Sequence, residues 1–330
     1  MNIDLAIKFG SNEITIFRKQ FGIIAKEPAY LAVIEDGNNI KVKATGKEAE
    51  RLFHSKSSNV TVYQPIQNSE IVNGKMAAIL LRSIIENVIP DKLFLTGVNA
   101  LVSVPCALNE KQLVSIKNVL HESGVNKVSF VQNGVSARAH LGIDPYAHVM
   151  VVDIGKYITD ISVMNDYDFT FGRMYYIGGE DMDKSITTFI ADNHGLVVSD
   201  MTSEAVKNDI ASLYERDMCR AEYIGIDEFG KFTKRDITAN EVRVAVLNTY
   251  EKIFDLILEV IKLLPIEIAK EIYNNGVMFV GGASQISGLY EYAKSKLDLP
   301  IIVPDDAMDS VILGAGKLLS TDKEFISIKV

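Results

Sequence analysis

A chain of 330 residues, 48% hydrophobic and 23% charged, has the composition of a folded soluble protein and is long enough for two domains with separate cores. A formal net charge of −9 with no basic run argues against nucleic acid as a partner. The two cysteines, Cys106 and Cys219, belong to no Cys-x-x-Cys or Cys/His spacing, which leaves metal and disulfide readings unsupported and makes a reducing cytoplasm the default; no signal peptide and no bilayer-length apolar run is read.

In chain order, strand signals come first, at 5–7, 14–17, 29–33 and 40–44. From Leu5 to Phe17 an apolar strand, a Phe-Gly break and an alternating return describe a hairpin, and Asp36-Gly37-Asn38-Asn39 is a second hairpin turn because Gly and Asn tolerate positive φ. A short helix is predicted over 46–53, an extended segment over 60–66, and a helix over 75–89, where Ala77, Leu80, Leu81, Ile84, Ile85 and Val88 form a broad apolar face. A buried strand at 101–104 precedes a helix over 109–123. Asn109 and Gln112 supply its capping box and Gly124 its stop. A strand at 128–131 and a short helix at 134–141 lead to a turn at Asp144-Pro145.

The second half repeats this alternation. Residues 151–163 form a hairpin with Asp153 at its mouth, followed by strands through 168–177. Gly178-Gly179 opens a helix over 180–192 that closes near Gly195, and 203–214 is helical. Residues 217–237 read as a small strand-containing insertion, and Thr238 with Glu241 makes a capping box for a helix running to about Leu264. A buried strand at 276–280 meets Gly281-Gly282-Ala283-Ser284, and helices follow at 286–297 and 307–319 with an extended piece at 301–303 between them. Strands alternating with helices specify an α/β protein with mixed sheets covered on both faces.

Glycines recur where apolar strands end: Phe9-Gly10-Ser11, Ile154-Gly155-Lys156, Ile177-Gly178-Gly179 and Val280-Gly281-Gly282. Glycine there lets a ligand approach the backbone, and Gly178-Gly179 before a helix leaves free N–H groups at a positive dipole end. Two hairpin tips of this kind can hold a phosphate chain with backbone N–H groups.

These segments, together with Lys26-Glu27-Pro28, Thr45-Gly46-Lys47-Glu48-Ala49, Val104-Pro105, Val151-Val152-Asp153-Ile154-Gly155, the run 177–183, the strand 276–282 with Gly288-Leu289, and Leu313-Gly314-Ala315-Gly316-Lys317, carry a resemblance. Over nearly its whole length the chain resembles the MreB family of bacterial actins, within the wider superfamily of actins, sugar kinases and heat-shock chaperone ATPases. The resemblance implies an actin-like two-domain fold with duplicated RNase-H-like mixed sheets and a cleft for ATP and Mg²⁺. The first domain would span 1–139 plus 310–330, with a subdomain at about 32–64. The second would span 140–309, with a subdomain at about 181–241. It further implies self-assembly into antiparallel double protofilaments, a role in cell shape, and a cytoplasmic position at the inner face of the membrane. A membrane loop matches Leu93, Phe94 and Leu95.

Departures from the family pattern fall on the chemistry. Lys8 stands where the family has an aspartate that holds the Mg²⁺ water shell; it cannot bind a metal but can place a positive charge on the β/γ-phosphates. The turn after Gly10 is Ser11-Asn12-Glu13, and Glu13 is unfavourable near phosphate if it points inward. The second hairpin reads Gly155-Lys156-Tyr157-Ile158, with one glycine where the family has three, while Asp153 is retained and can order a metal-bound water. Asn133 stands at the family's water-activating glutamate and can orient a water but cannot take its proton. Gly178, Gly179, Glu204, Lys207, Gly281, Gly282 and Ala283 match the remaining nucleotide contacts, Glu204 and Lys207 at the ribose and adenine. Weak nucleotide binding with little or no ATP hydrolysis is expected. Two other readings stay open: a nucleotide-independent filament or scaffold subunit that co-assembles with an active paralogue, and an active ATPase in which Lys8 and Lys156 replace the metal.

Overall fold

The computed structural model describes residues 3–37, 39–55, 60–89, 97–144, 146–165, 169–320 and 328. The chain begins with β1 (Ile3–Phe9), β2 (Glu13–Arg18), β3 (Gly22–Pro28), β4 (Leu31–Asp36) and β5 (Asn39–Thr45), then α1 (Gly46–Ser55), β6 (Thr61–Tyr63), β7 (Ile66–Gln67) and β8 (Glu70–Ile71). Next come α2 (Gly74–Val88), β9 (Val98–Val104), α3 (Glu110–Glu122), β10 (Lys127–Gln132) and α4 (Asn133–Leu141). They are followed by β11 (Val149–Ile154), β12 (Thr159–Met164), β13 (Phe169–Tyr175), α5 (Gly179–His194), α6 (Asp200–Ile210), β14 (Arg220–Ile226) and β15 (Phe232–Thr238). The remainder is α7 (Ala239–Leu263), α8 (Ile266–Asn275), β16 (Val277–Val280), a 3₁₀ turn (Gly282–Gln285), α9 (Leu289–Leu297), β17 (Ile301–Ile302) and α10 (Ser310–Leu318). The chain divides into two compact units, Met1–Tyr146 with Met164–Met174 and Asp309–Val330, and Ala147–Val163 with Tyr175–Met308.

In the first unit the sheet order is β10-β9-β1-β2-β3. β1 pairs antiparallel with β2 and parallel with β9, which pairs parallel with β10. One face buries Leu5, Ile7, Ile14, Ile16 and Val102 against the apolar stripes of α2 and α3, through Leu80, Leu81, Ile84, Leu113, Ile116 and Leu120. The other face packs Ala6 against Ile312 and Ala315 of α10. With both faces covered, the strands read as near-continuous apolar runs. A satellite cluster of Tyr30, Ala32, Ala44 and Ala49 holds α1 on the sheet β5-β4-β6.

In the second unit β11 lies beside β12 and pairs in parallel with β16, which pairs in parallel with β17. All six residues of β11 and of β12 are buried. The 25-residue helix α7 buries Val242, Val246, Tyr250, Ile253, Phe254 and Ile257, and the Phe254 ring meets Phe279 of β16 edge-on at 5.9 Å between centroids. The strand-containing insertion expected over 217–237 is a hairpin of β14 and β15.

Several sequence-based boundaries shift. The strand expected at 29–33 is β4, because the turn at Ala29 and Tyr30 is taken up by an Ala29 N–H bond to Asn12 O and a Gly46 N–H bond to Tyr30 O. The helix expected over 203–214 is Asp200–Ile210, capped by Ser199. It ends because Ala211 turns extended and the Leu213 N–H goes to Ser287 O. The helix expected at 286 starts at Leu289, after Gly288 in the left-handed region at φ +79. β3 and α8 were not expected. Among the described residues no helix is long and apolar enough to cross a membrane. Leu93, Phe94 and Leu95 lie outside the described residues.

Candidate functional site

In the first unit the candidate residues gather at the carboxyl ends of three parallel strands, the end at which open α/β sheets bind ligands. Lys8, near the end of β1, lies opposite Ser103 of β9, and Gln132, the last residue of β10, lies opposite Val104. Asn133 follows as the first residue of α4 and is only 5% exposed. Ser103 and Ser136 join β9 to α4 through a buried hydroxyl pair at 3.0 Å.

The β1–β2 turn closes on itself, with the Gly10 N–H donating to Glu13 O at 3.2 Å. A Cβ on Gly10 would fall 2.8 Å from that same oxygen, so the position requires glycine. Ser11 is buried, and its Oγ accepts the Ser69 N–H at 2.7 Å while its carbonyl takes Gln64 Nε2 at 3.4 Å. Glu13 accepts the Thr15 hydroxyl at 3.0 Å. Burial raises the Glu13 carboxyl above its ordinary value, against the opposing pull of Thr15, Lys26 and Lys8. Lys26 is itself bound to Asp309 at 2.7 Å.

In the second unit Asp153, 6% exposed, is the penultimate residue of β11 and lies opposite Val280 of β16. Gly281 packs where a Cβ would lie 2.4 Å from Asp153 Oδ1, at φ +89, and its N–H donates to Ala307 O. Gly282 is exposed, and a Cβ there would meet nothing within 4 Å. Beneath this open ledge, the buried Tyr250 hydroxyl donates to Ala283 O at 2.7 Å. The turn between β11 and β12 closes like the first, Gly155 N–H to Ile158 O at 2.9 Å.

The expectation that Gly178-Gly179 leaves free N–H groups is corrected. The Gly179 N–H donates to Gly155 O at 3.0 Å, the Glu180 N–H to Lys156 O at 2.7 Å, and the Gly178 N–H to Asp181 Oδ2 at 2.8 Å. The start of α5 therefore spends these donors on its own Asp181 carboxylate and on the hairpin turn. Gly178 has to be glycine because a Cβ would lie 2.6 Å from Gly155 O and 2.8 Å from Lys156 O.

The charged candidates pair with one another. Lys156 Nζ donates to both Glu204 oxygens, at 3.0 and 2.9 Å. Burial pushes the Lys156 ammonium down, but Glu204 pulls it up further, and the balance lies above the ordinary lysine value. Lys207 Nζ reaches Asp183 Oδ1 at 2.7 Å and Gly179 O at 3.1 Å. Burial pushes the Asp183 carboxyl up to about 6 in spite of Lys207. Asp183 was missed as a site residue. Its signal is its place on the inward stripe of α5 with Gly179, Met182, Ile186 and Ile190, where an acid needs a partner.

A family model described as MreB/Mbl protein matches residues 2–327. The chain belongs to the MreB/Mbl family. Cell shape-determining protein MreB of Escherichia coli (strain K12) is 24% identical over 322 residues, covering 96% of this chain and 93% of that one. Cell shape-determining protein Mbl of Bacillus subtilis (strain 168) is 27% identical over 322 residues, covering 96% and 95%. Among solved structures, MreB5 of Spiroplasma citri bound to AMPPNP is similar at a TM-score of 0.89 and 23% identity, over 97% of this chain and 96% of that one. A MamK double helical filament is similar at 0.81 and 18% identity, over 97% and 99%. The fold is thus the actin-like α/β fold expected from the sequence.

Against the cofactors that this family implies, the residues divide. An open, side-chain-free ledge at Gly282, a carboxylate acceptor at Glu204 and an ammonium at Lys156 fit a nucleoside phosphate: apolar face, hydroxyls and anion each have a matching group. Mg²⁺ does not fit. Lys8 brings an ammonium to the end of β1, and among the described residues no group of three or more His, Cys, Asp or Glu could hold a metal ion.

Proposed function

We propose that this chain is a filament-forming cytoskeletal subunit of cell-shape determination that binds nucleotide weakly and hydrolyses it slowly or not at all. Supporting the assembly reading are the family, the shape-determining relatives and the likeness to MamK, which was solved as a double helical filament. Supporting the nucleotide reading is the likeness to MreB5, which was solved with AMPPNP and with ADP. In this reading Lys156 meets phosphate oxygens, Glu204 accepts ribose hydroxyls, and the backbone at Gly281, Gly282 and Ala283 lies under the base. Bound nucleotide would supply a phosphoanhydride able to release energy on cleavage. The polymer would be antiparallel and peripheral at the inner membrane face, with the segment around Leu93, Phe94 and Leu95 as the membrane contact, and paralogues as candidate co-assembly partners.

The observation that carries the low turnover is Asn133, buried at the first turn of α4 where the resemblance puts the water-activating glutamate. An amide can hold a water by hydrogen bonds but has no basic site for its proton. The test is phosphate release by polymerised wild-type protein and by Asn133→Glu. Release near background for the wild type, rising at least about tenfold in the variant, is expected. Steady wild-type release that the substitution leaves unchanged would contradict it. A second reading, a nucleotide-independent filament subunit, is favoured by the Gly179 and Glu180 N–H groups already bonded to Gly155 and Lys156 carbonyls. Filaments that form equally with and without ATP in negative-stain micrographs would decide for it.

A further inference from the structure

Lys156 is held by its backbone at one end and by an ion pair at the other. Its carbonyl accepts the Glu180 N–H, and the turn that carries it is closed by Gly155 N–H to Ile158 O. Its ammonium lies across both oxygens of Glu204, 48 residues away in sequence, on α6. Both side chains are only partly exposed, 20% for Lys156 and 35% for Glu204. A vicinal diol that grips a carboxylate does so across the same two oxygens, so the ammonium holds the seat that ribose hydroxyls would take. A polyphosphate carries several negative charges where Glu204 carries one, and it competes for the ammonium with charge-assisted bonds of its own.

We infer that the Lys156–Glu204 ion pair is a latch that phosphate opens: a polyphosphate draws Lys156 away from Glu204 and so frees the carboxylate for the ribose. This inference rests on the nucleotide reading above and adds regulation to the same site. The consequence is selection for nucleoside polyphosphates over nucleosides, which bring hydroxyls but nothing to draw the lysine off. Lys207 does not substitute for Lys156 in this exchange, because it is held by Asp183 and by Gly179 O.

The latch makes phosphate and nucleoside binding help each other, and coupling of this kind is reciprocal. The experiment is calorimetric titration of full-length protein with adenosine, alone and with saturating inorganic pyrophosphate, and with ATP, for wild type, Lys156→Gln and Lys156→Arg. Thermal unfolding of each variant establishes that it is folded. In wild type, pyrophosphate should tighten adenosine about fivefold or more. Lys156→Gln should bind adenosine about fivefold or more tighter than wild type without pyrophosphate and should lose the coupling, whereas Lys156→Arg should keep it. A lysine that merely touches phosphate predicts no gain in adenosine affinity on its removal, so unchanged or weaker adenosine binding in a folded Lys156→Gln overturns the latch. ATP binding without coupling overturns the latch and leaves the nucleotide reading in place. Adenosine binding in Lys156→Gln alone supports the latch and corrects weak binding to no binding in the wild type. Failure of every protein to bind adenosine or ATP overturns both.

Discussion

The two hairpin turns, one in each unit, close by the same bond and are braced by different means. Gly10 N–H meets Glu13 O, and Gly155 N–H meets Ile158 O, with the glycine in each case too close to a backbone oxygen for any Cβ to fit without a shift. The first turn is braced by a loop, through Ser11 with Ser69 and Gln64. The second is braced by the start of a helix, with Gly155 O and Lys156 O bonded to N–H groups of α5. A turn braced through the Ser11 hydroxyl depends on that residue. A turn braced by two helix-terminal N–H groups cannot change its backbone, and sequence divergence there is confined to side chains such as Lys156 and Tyr157.

This difference can be broken from either side. Gly178→Ala should cost the most, about 3 kcal/mol, because the new Cβ falls on two backbone oxygens, Gly155 O and Lys156 O, that cannot move without opening the brace. Gly10→Ala meets one oxygen, Glu13 O, and should cost about half of that in urea unfolding. Equal costs would mean that the helix is not what holds the second turn.

Acid–base behaviour sharpens the same comparison. The Asp183 carboxyl is raised in the folded protein from 3.8 to about 6, so its contribution to stability is complete below pH 4 and is lost as pH rises through 6. Removing it in Asp183→Asn should therefore flatten unfolding free energy between pH 4 and pH 7 by on the order of 2–3 kcal/mol relative to wild type. Glu13, raised by burial in the first turn, should act in the same direction. Parallel pH profiles for wild type and Asp183→Asn would contradict the assignment. The smallest effect belongs to Ser11→Ala, which strands the Ser69 N–H and should cost about 1 kcal/mol by the same unfolding measurement, with the second turn undisturbed.

Local chemistry was legible in the sequence wherever one segment settles its own structure. Asn109 with Gln112 and Thr238 with Glu241 form their capping boxes in full. β4 and β5 pair with Asp36 opposite Asn39, as the sequence around Gly37 led one to expect. α8 was missed although Ile266, Ala269, Ile272 and Tyr273 recur at helical spacing; it runs for only ten residues after Pro265, and of these only Ile272 is fully buried. β3 escaped because Lys26, Glu27 and Pro28 break the alternation that marks a strand. The glycines, Glu204 and Lys207 were visible as candidates, but their partners were not. Lys156 finds Glu204 and Lys207 finds Asp183 across 48 and 24 residues, and nothing local to Gly178-Gly179 reveals that the Gly179 and Glu180 N–H groups are claimed by a turn from another strand pair.

The central claim is that this MreB/Mbl chain keeps a nucleotide site without efficient turnover. Its most direct test is calorimetric titration of the full chain with ATP, once with Mg²⁺ and once with chelator, followed by phosphate release on the same samples. The account predicts weak binding that chelator leaves unchanged and release indistinguishable from a protein-free control. Binding that requires Mg²⁺ and is followed by steady phosphate release would contradict it.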